Sequence, residues 1–165
     1  MDGKLYHESQ TVMPVMAALL TAILSVGIVI FTAYLMGTDA FEIGSVAGMT
    51  MIISLAAVLI LSVALFFIRI KTTVTQSSLT VGMFKGRNVP ISDIESVSTE
   101  DFSAFKDYLG WGIKIGRKGL GYIAAGTNKG LRIHLKGGKS FFISSKKIFE
   151  FESAMKMVLK YNKDR

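Results

Sequence analysis

Two long stretches without a charged side chain constrain this chain more than any other feature. Between Ser9 and Thr38, and again from Ile43 to Ile68, there is no Asp, Glu, Lys or Arg. The apolar runs in them, 12–36 and 43–68, each exceed the roughly 20 residues with which a helix crosses about 30 Å of hydrocarbon. The sequence therefore predicts a transmembrane helical hairpin, with helices over 12–36 and 43–68 and a short external loop at 37–42. Pro14 suits the first turn of the first helix, where its missing N–H is not needed. A secretory signal has a shorter apolar core followed by a cleavage site, so the first run reads as retained. Neither run holds an ionisable group, which removes the usual proton relay or ion site of a transporter. The hairpin reads as an anchor.

Charge is distributed unevenly along the 165 residues. Residues 1–68 carry one Lys against four acids, net −3, and the remainder carries 18 Lys plus Arg against 8 acids, net +10, which gives the overall +7. Basic residues flank the helix ends (Lys4, Arg69, Lys71), whereas 37–42 holds two acids and no base. The positive-inside rule then places the loop outside and both termini in the cytoplasm, as in a multi-pass protein of the cell membrane. Residues 1–11 read as a short cytoplasmic tail and 69–165 as a cytoplasmic domain. A basic domain tethered at a bilayer faces anionic lipid before it meets anything else, and no nucleic-acid partner is expected. The absence of Cys excludes disulfides and thiolate metal sites.

Inside the hairpin, Gly44 and Gly48 form a small-xxx-small pair, with Ala18 and Ala22 as a weaker one. Such residues let helices approach closely, within one hairpin or between two copies of the chain.

From Arg69 the pattern changes to short alternating segments. Thr72–Val74, Leu79–Met83, Asn88–Ile91 and Ile94–Thr99 read as strands, the third an edge strand because Pro90 cannot donate. Phe102, Phe105 and Tyr108 mark a loop or helical turn held down by aromatics. Strands follow at 123–125, 131–136 and 141–143, the last two joined by the tight Gly137-Gly138 turn. A helix over about 145–161, capped by Ser144 or Ser145, carries the stripe Ile148, Phe151, Met155, Val158 and Leu159. About seven strands and one amphipathic helix describe a small barrel or sandwich plugged by a helix.

Several of these segments resemble the bacterial and archaeal pleckstrin-homology-like domains. They are LTVGMFKGRNVPI, Ile91–Val97, Gly110-Trp111-Gly112-Ile113, KGLRIHLKGGKSFFISS and the terminal helix, together spanning about 70–162. The resemblance implies a membrane-anchored α+β protein: a two-helix transmembrane hairpin, then a seven-stranded barrel with a C-terminal capping helix. It does not imply phosphoinositide binding, because the first hairpin loop, Gln76-Ser77-Ser78, carries no base.

Chemistry-bearing motifs are sparse. Gly138-Lys139-Ser140 lacks the upstream Gly of a phosphate-binding loop and precedes a strand rather than a helix, and the glycines of 116–121 are likewise explained by turns. His7 and His134 form no pair with each other or with carboxylates at a useful spacing. No catalytic residue, metal or cofactor is expected, and the chain reads as a non-enzyme. The candidate site is Trp111 with Lys114, Arg117 and Lys118, which suits an anionic headgroup or an acidic partner. The alternative is that Trp111 is core and the bases are solvated. Lys146 and Lys147 open the last helix at its electrostatically unfavourable end, a placement that suits lipid phosphate. The expected function is that of a membrane-anchored interaction module binding a protein partner or an anionic lipid surface. The alternative is a structural subunit assembled through the hairpin, with a protein partner or a second copy.

Overall fold

The polar segment ahead of the first apolar run forms a strand rather than a tail. The computed structural model describes residues 3–35 and 44–163, the side chains of 15–17, 47, 65 and 66 excepted, so the expected loop at 37–42 lies outside the described residues. The chain divides into two units, one of residues 1–12 with 69–165 and one of residues 13–68.

The smaller unit is a pair of helices, α1 (Val15–Leu35) and α2 (Val46–Phe67), packed against each other. Their buried or half-buried positions fall mostly three or four residues apart: Ala18, Ala22, Ser25, Val26, Val29 and Ala33 on α1, and Gly48, Met51, Ser54, Leu55, Val58 and Ser62 on α2. That spacing makes a narrow seam of mostly small side chains. The remaining faces are apolar and exposed, with Leu20, Ile23, Leu24 and Phe31 on α1 and Ile53, Ile60 and Leu61 on α2. Hydroxyls on these helices turn back on their own backbone, Thr32 to Ile28 O, Thr50 to Val46 O, Ser54 to Thr50 O and Ser62 to Val58 O, all at 2.8–2.9 Å. A helix in hydrocarbon satisfies its polar groups in this way. Ala18–Leu35 is long and apolar enough to cross a membrane; the corresponding apolar stretch of α2 is Gly48–Ala64. Gly44 does not share a helix with Gly48. It precedes α2 at φ +107°, and a Cβ there would meet nothing within 4 Å, so its role is the turn. Gly48 is buried, and its N–H bonds Ser45 Oγ at 2.9 Å.

The larger unit contains two sheets. The first is built of β1 (Lys4–Thr11), β2 (Arg69–Thr75), β3 (Ser78–Gly82) and β4 (Arg87–Pro90), antiparallel in that order. The second has β5 (Ile94–Asp101), β6 (Gly112–Gly116), β7 (Gly119–Ile123), β8 (Lys129–Leu135) and β9 (Ser140–Ser144), in the order β5-β8-β9-β7-β6. The short helix α3 (Ala104–Tyr108) lies between β5 and β6, and α4 (Ile148–Lys163) ends the described chain. Among the described residues, the expected seven-stranded barrel is therefore replaced by nine strands in two open sheets. The two sheets part at Pro90, which has no N–H to offer a further strand. The chain then makes a 3-10 turn at Ile91–Asp93 before entering β5. The expected strand at 123–125 begins earlier, as β7, and pairs in parallel with β9.

Between the sheets lies the main core. Ile70, Val74, Leu79 and Val81 of the first sheet and Leu131, Ile133, Phe141 and Ile143 of the second join Phe151, Met155 and Val158 of α4. Each such side chain contributes about 1.5–3 kcal/mol on burial. The stripe expected on the last helix is the one that packs.

β1 is held by more than its ladder. The Glu8 carboxylate is buried and accepts from the Tyr6 hydroxyl, from Ser145 Oγ at 2.8 Å and from the Lys146 N–H at 3.1 Å. Burial, and then the hydrogen bond to Glu8, push the Tyr6 phenol well above its ordinary value, so it remains a donor. Gln10 Nε2 donates to Ser144 O at 2.9 Å, and Ala125 N–H to Thr11 O at 3.1 Å. Glu8→Ala would strip the acceptor from buried donors and is expected to cost about 2–3 kcal/mol. The loss should appear as a lower denaturation midpoint of the full chain in detergent and as faster amide exchange in β1.

Candidate functional site

The end of the first sheet from which the chain leaves for α1 and to which it returns from α2 collects an unusual set of side chains. The β1–β2 ladder closes there on the pair Thr11↔Arg69, and β3 ends beside it through Lys71↔Gly82. The β3–β4 turn therefore lies at this end, and it presents Phe84, 89% exposed, next to exposed Lys85. Arg87 follows, its guanidinium 5.0 Å from the Phe141 ring centroid. Gly112 reaches the same end, since a Cβ on it would stand 3.6 Å from Val12, the last residue of this unit before the helices. Trp111, adjacent to Gly112, is half-buried and meets Phe105 edge-on at 4.9 Å, while Phe105 and Leu109 remain exposed. Arg69, Lys146 and Lys147 complete the rim. Aromatic side chains amid Lys and Arg match the boundary between hydrocarbon and anionic headgroups.

The four residues singled out from the sequence are spread along one hairpin rather than gathered. Trp111 precedes β6, Lys114 is exposed midway along it, and Arg117 and Lys118 occupy the turn to β7. Lys118 is engaged already, with its Nζ 3.5 Å from Asp107 Oδ2 and 3.4 Å from Asp101 O. Arg117 donates its backbone N–H to Asp107 O at 2.9 Å and leaves its side chain exposed.

The scaffold beneath this hairpin is a second apolar cluster on the outer face of the five-stranded sheet. Phe102, Tyr108, Ile123 and Phe142 form it, with Trp111 at its margin. Arg132, only 8% exposed, binds the pieces together. Its Nε donates to Glu100 at 2.7 Å, one terminal nitrogen to Lys118 O at 2.9 Å and the other to the Tyr108 hydroxyl at 3.2 Å. Arg132 alternates along β8 with Leu131 and Ile133 of the main core, and its own face of the sheet is covered by α3. Two glycines make room for that helix. A Cβ on Gly121 would stand 2.6 Å from the Tyr108 ring, and one on Gly116 would strike the Asp107 carbonyl and lie 2.7 Å from Tyr108 Cα. The glycine spacing of 116–121 thus serves close packing. Gly121→Val is expected to lower stability by about 1–3 kcal/mol or more through overpacking. Chemical denaturation of the full chain would measure it, with Gly119→Asn, at a turn position with φ +87° and open space around it, as the milder comparison.

Asp107 organises the same loop. The Ser103 N–H, donated at 2.9 Å, holds its carboxyl below the ordinary carboxylate value, and Lys118 and Arg117 add to this. A depressed value means that the charged form is favoured by the fold. The contribution is therefore present above the unfolded value of about 4 and is lost as pH falls through the lower folded value. An NMR titration should give a midpoint below that of a free Asp, and Asp107→Asn should loosen 103–118 at neutral pH as acid does in the parent.

The histidines each bond a hydroxyl, His7 to Thr73 at 2.9 Å and His134 to Ser98 at 3.3 Å. Among the described residues, no group of three or more His, Asp and Glu side chains is placed to hold a metal ion. Phe84 and Lys85 are not among the site residues expected from the sequence, although a Phe flanked by bases in a glycine turn is a legible signal, and Arg69 is read there only as a flank of the second helix. No protein-family model matches the chain, and the sequence of no curated protein matches it.

Proposed function

We propose that the chain is a membrane-anchored, non-enzymatic interaction module that works against the anionic surface of the leaflet in which it is rooted. The observation that carries this reading is the Thr11↔Arg69 pair, which gives the domain two covalent connections to the helices at one end, the end rich in aromatic and basic side chains. In this reading α1 and α2 both span the bilayer. Their uniformly apolar outer faces support it, because water would tolerate so much exposed Leu, Ile and Phe poorly. With both ends of the helix pair joined to one sheet, residues 1–12 and 69–165 share a side of the membrane. The excess of Lys and Arg in that part of the chain makes it the cytoplasmic side. The likeness to pleckstrin-homology-like domains rests on the sequence segments within about 70–162, and it concerns the fold alone.

Two tethers keep the domain at high effective concentration beside the lipid, so individually weak contacts add up. Phe84 and Trp111 would sit at the height of the carbonyl and headgroup layer, and Arg69, Lys85 and Lys146 beside lipid phosphates. Trp111 is the only Trp and reports on this directly. In liposomes holding the full chain, its fluorescence should be quenched by lipids brominated near the top of the acyl chain more than by lipids brominated near the methyl end. Equal emission with and without brominated lipid would mean that this end of the domain is turned away from the bilayer.

A further inference from the structure

Beside the Thr11↔Arg69 pair lies an open depression of about 370 Å³, lined by residues of β1, by Arg69 and by the two residues Lys146 and Lys147 that lead into α4. Its rim is basic. Arg69 and Lys146 take part in no ion pair among the described residues, and the Lys146 ammonium lies over Gly126, 3.2 Å from where a Cβ would stand. Lys147 pairs only with Glu150, at 3.2 Å and largely in solvent, an interaction worth little and easily exchanged. The one carboxylate lining the depression, Glu8, has both oxygens committed to Tyr6, Ser145 and the Lys146 N–H. Gln10 also lines it and is 4% exposed. Its Nε2 is bound to Ser144 O, which fixes the amide orientation, and its Oε1 has no partner among the described residues. That oxygen is shut off from solvent and so does not open onto the depression.

The cations ask for an anionic ligand such as a phosphate ester. The place of Arg69 in the chain, two residues after α2 ends at Phe67, sets the height at which the ligand is found. We propose that this depression binds an anionic phospholipid headgroup, its phosphate held among Arg69, Lys146 and Lys147. The inference rests on the membrane-anchored reading and names the chemistry that the anchored domain recognises.

The test uses the full chain purified in detergent, with lipids added and the bound ones counted by native mass spectrometry. Phosphatidylglycerol should be retained in preference to zwitterionic phosphatidylcholine. The double variant Arg69→Gln, Lys146→Gln should reduce retention about tenfold. Arg69→Lys should keep most of it, and Lys114→Gln with Arg117→Gln should leave it unchanged. Unchanged retention in the double variant at a parental melting midpoint would overturn the site. Displacement of the lipid by millimolar inorganic phosphate would overturn the lipid source and assign the pocket to a soluble phosphate. Resistance of the chain to alkaline carbonate extraction separates these outcomes from a failure of the anchor itself: a chain released by carbonate refutes the anchored reading, whereas a retained chain without lipid preference refutes only the site.

Discussion

The antiparallel ladder between β1 and β2 is the interaction on which the rest depends. Its strands are separated in sequence by the whole of 12–68, so Thr11 and Arg69 meet only if that stretch returns to where it began. Loop closure on this scale costs little more than for a shorter loop, because the entropy grows only with the logarithm of length. What the ladder needs in addition is side-chain specificity, since a polar strand has little hydrophobic reason to enter a sheet. Glu8 supplies it by joining β1 to the residues that lead into α4, and Gln10 adds a bond to the end of β9. β1, β2, β9 and α4 are thereby fixed at the sheet end where the basic depression lies.

A second dependency runs through Arg132. The five-stranded sheet is covered on both faces, by α4 and the first sheet on one and by α3 with its aromatic residues on the other. A guanidinium on the second face could not be buried without partners. Glu100, Tyr108 and the Lys118 carbonyl provide them, and the side chain also lies over the Phe142 ring at 5.5 Å. The segment from α3 to β7, with Trp111 within it, is ordered by a buried charge as much as by apolar contact.

Legibility in the sequence followed the strength of the local pattern. The two uncharged runs, the alternation of β2, β3, β8 and β9 and the stripe of α4 could be read directly, because burial there is carried by apolar side chains at the right period. β1 could not. Its inward positions are Tyr6, Glu8 and Gln10, so the buried face looks polar and the period carries no hydrophobic signal. β6 and β7 were obscured by glycines whose purpose, room for α3, is visible only once Tyr108 is in place. The parallel pairing of β7 with β9 is a matter of topology that no local pattern encodes. Trp111 and its neighbouring bases stood out as a cluster in sequence, as did the Lys146-Lys147 pair, while Arg69, distant from both along the chain, could not be grouped with them.

The register at Thr11↔Arg69 carries one more consequence. Topologically, the entire helix pair occupies the position of the turn in an ordinary two-stranded hairpin. All of its covalent demands on the domain end at that single residue pair, and the partners of β1 within the larger unit are supplied without it. A two-residue Asn-Gly connection in place of 12–68 would satisfy the same strand geometry. The larger unit can thus be regarded as a sheet protein into which an apolar helix pair has been spliced at a turn, rather than as an appendage grown from the end of that pair.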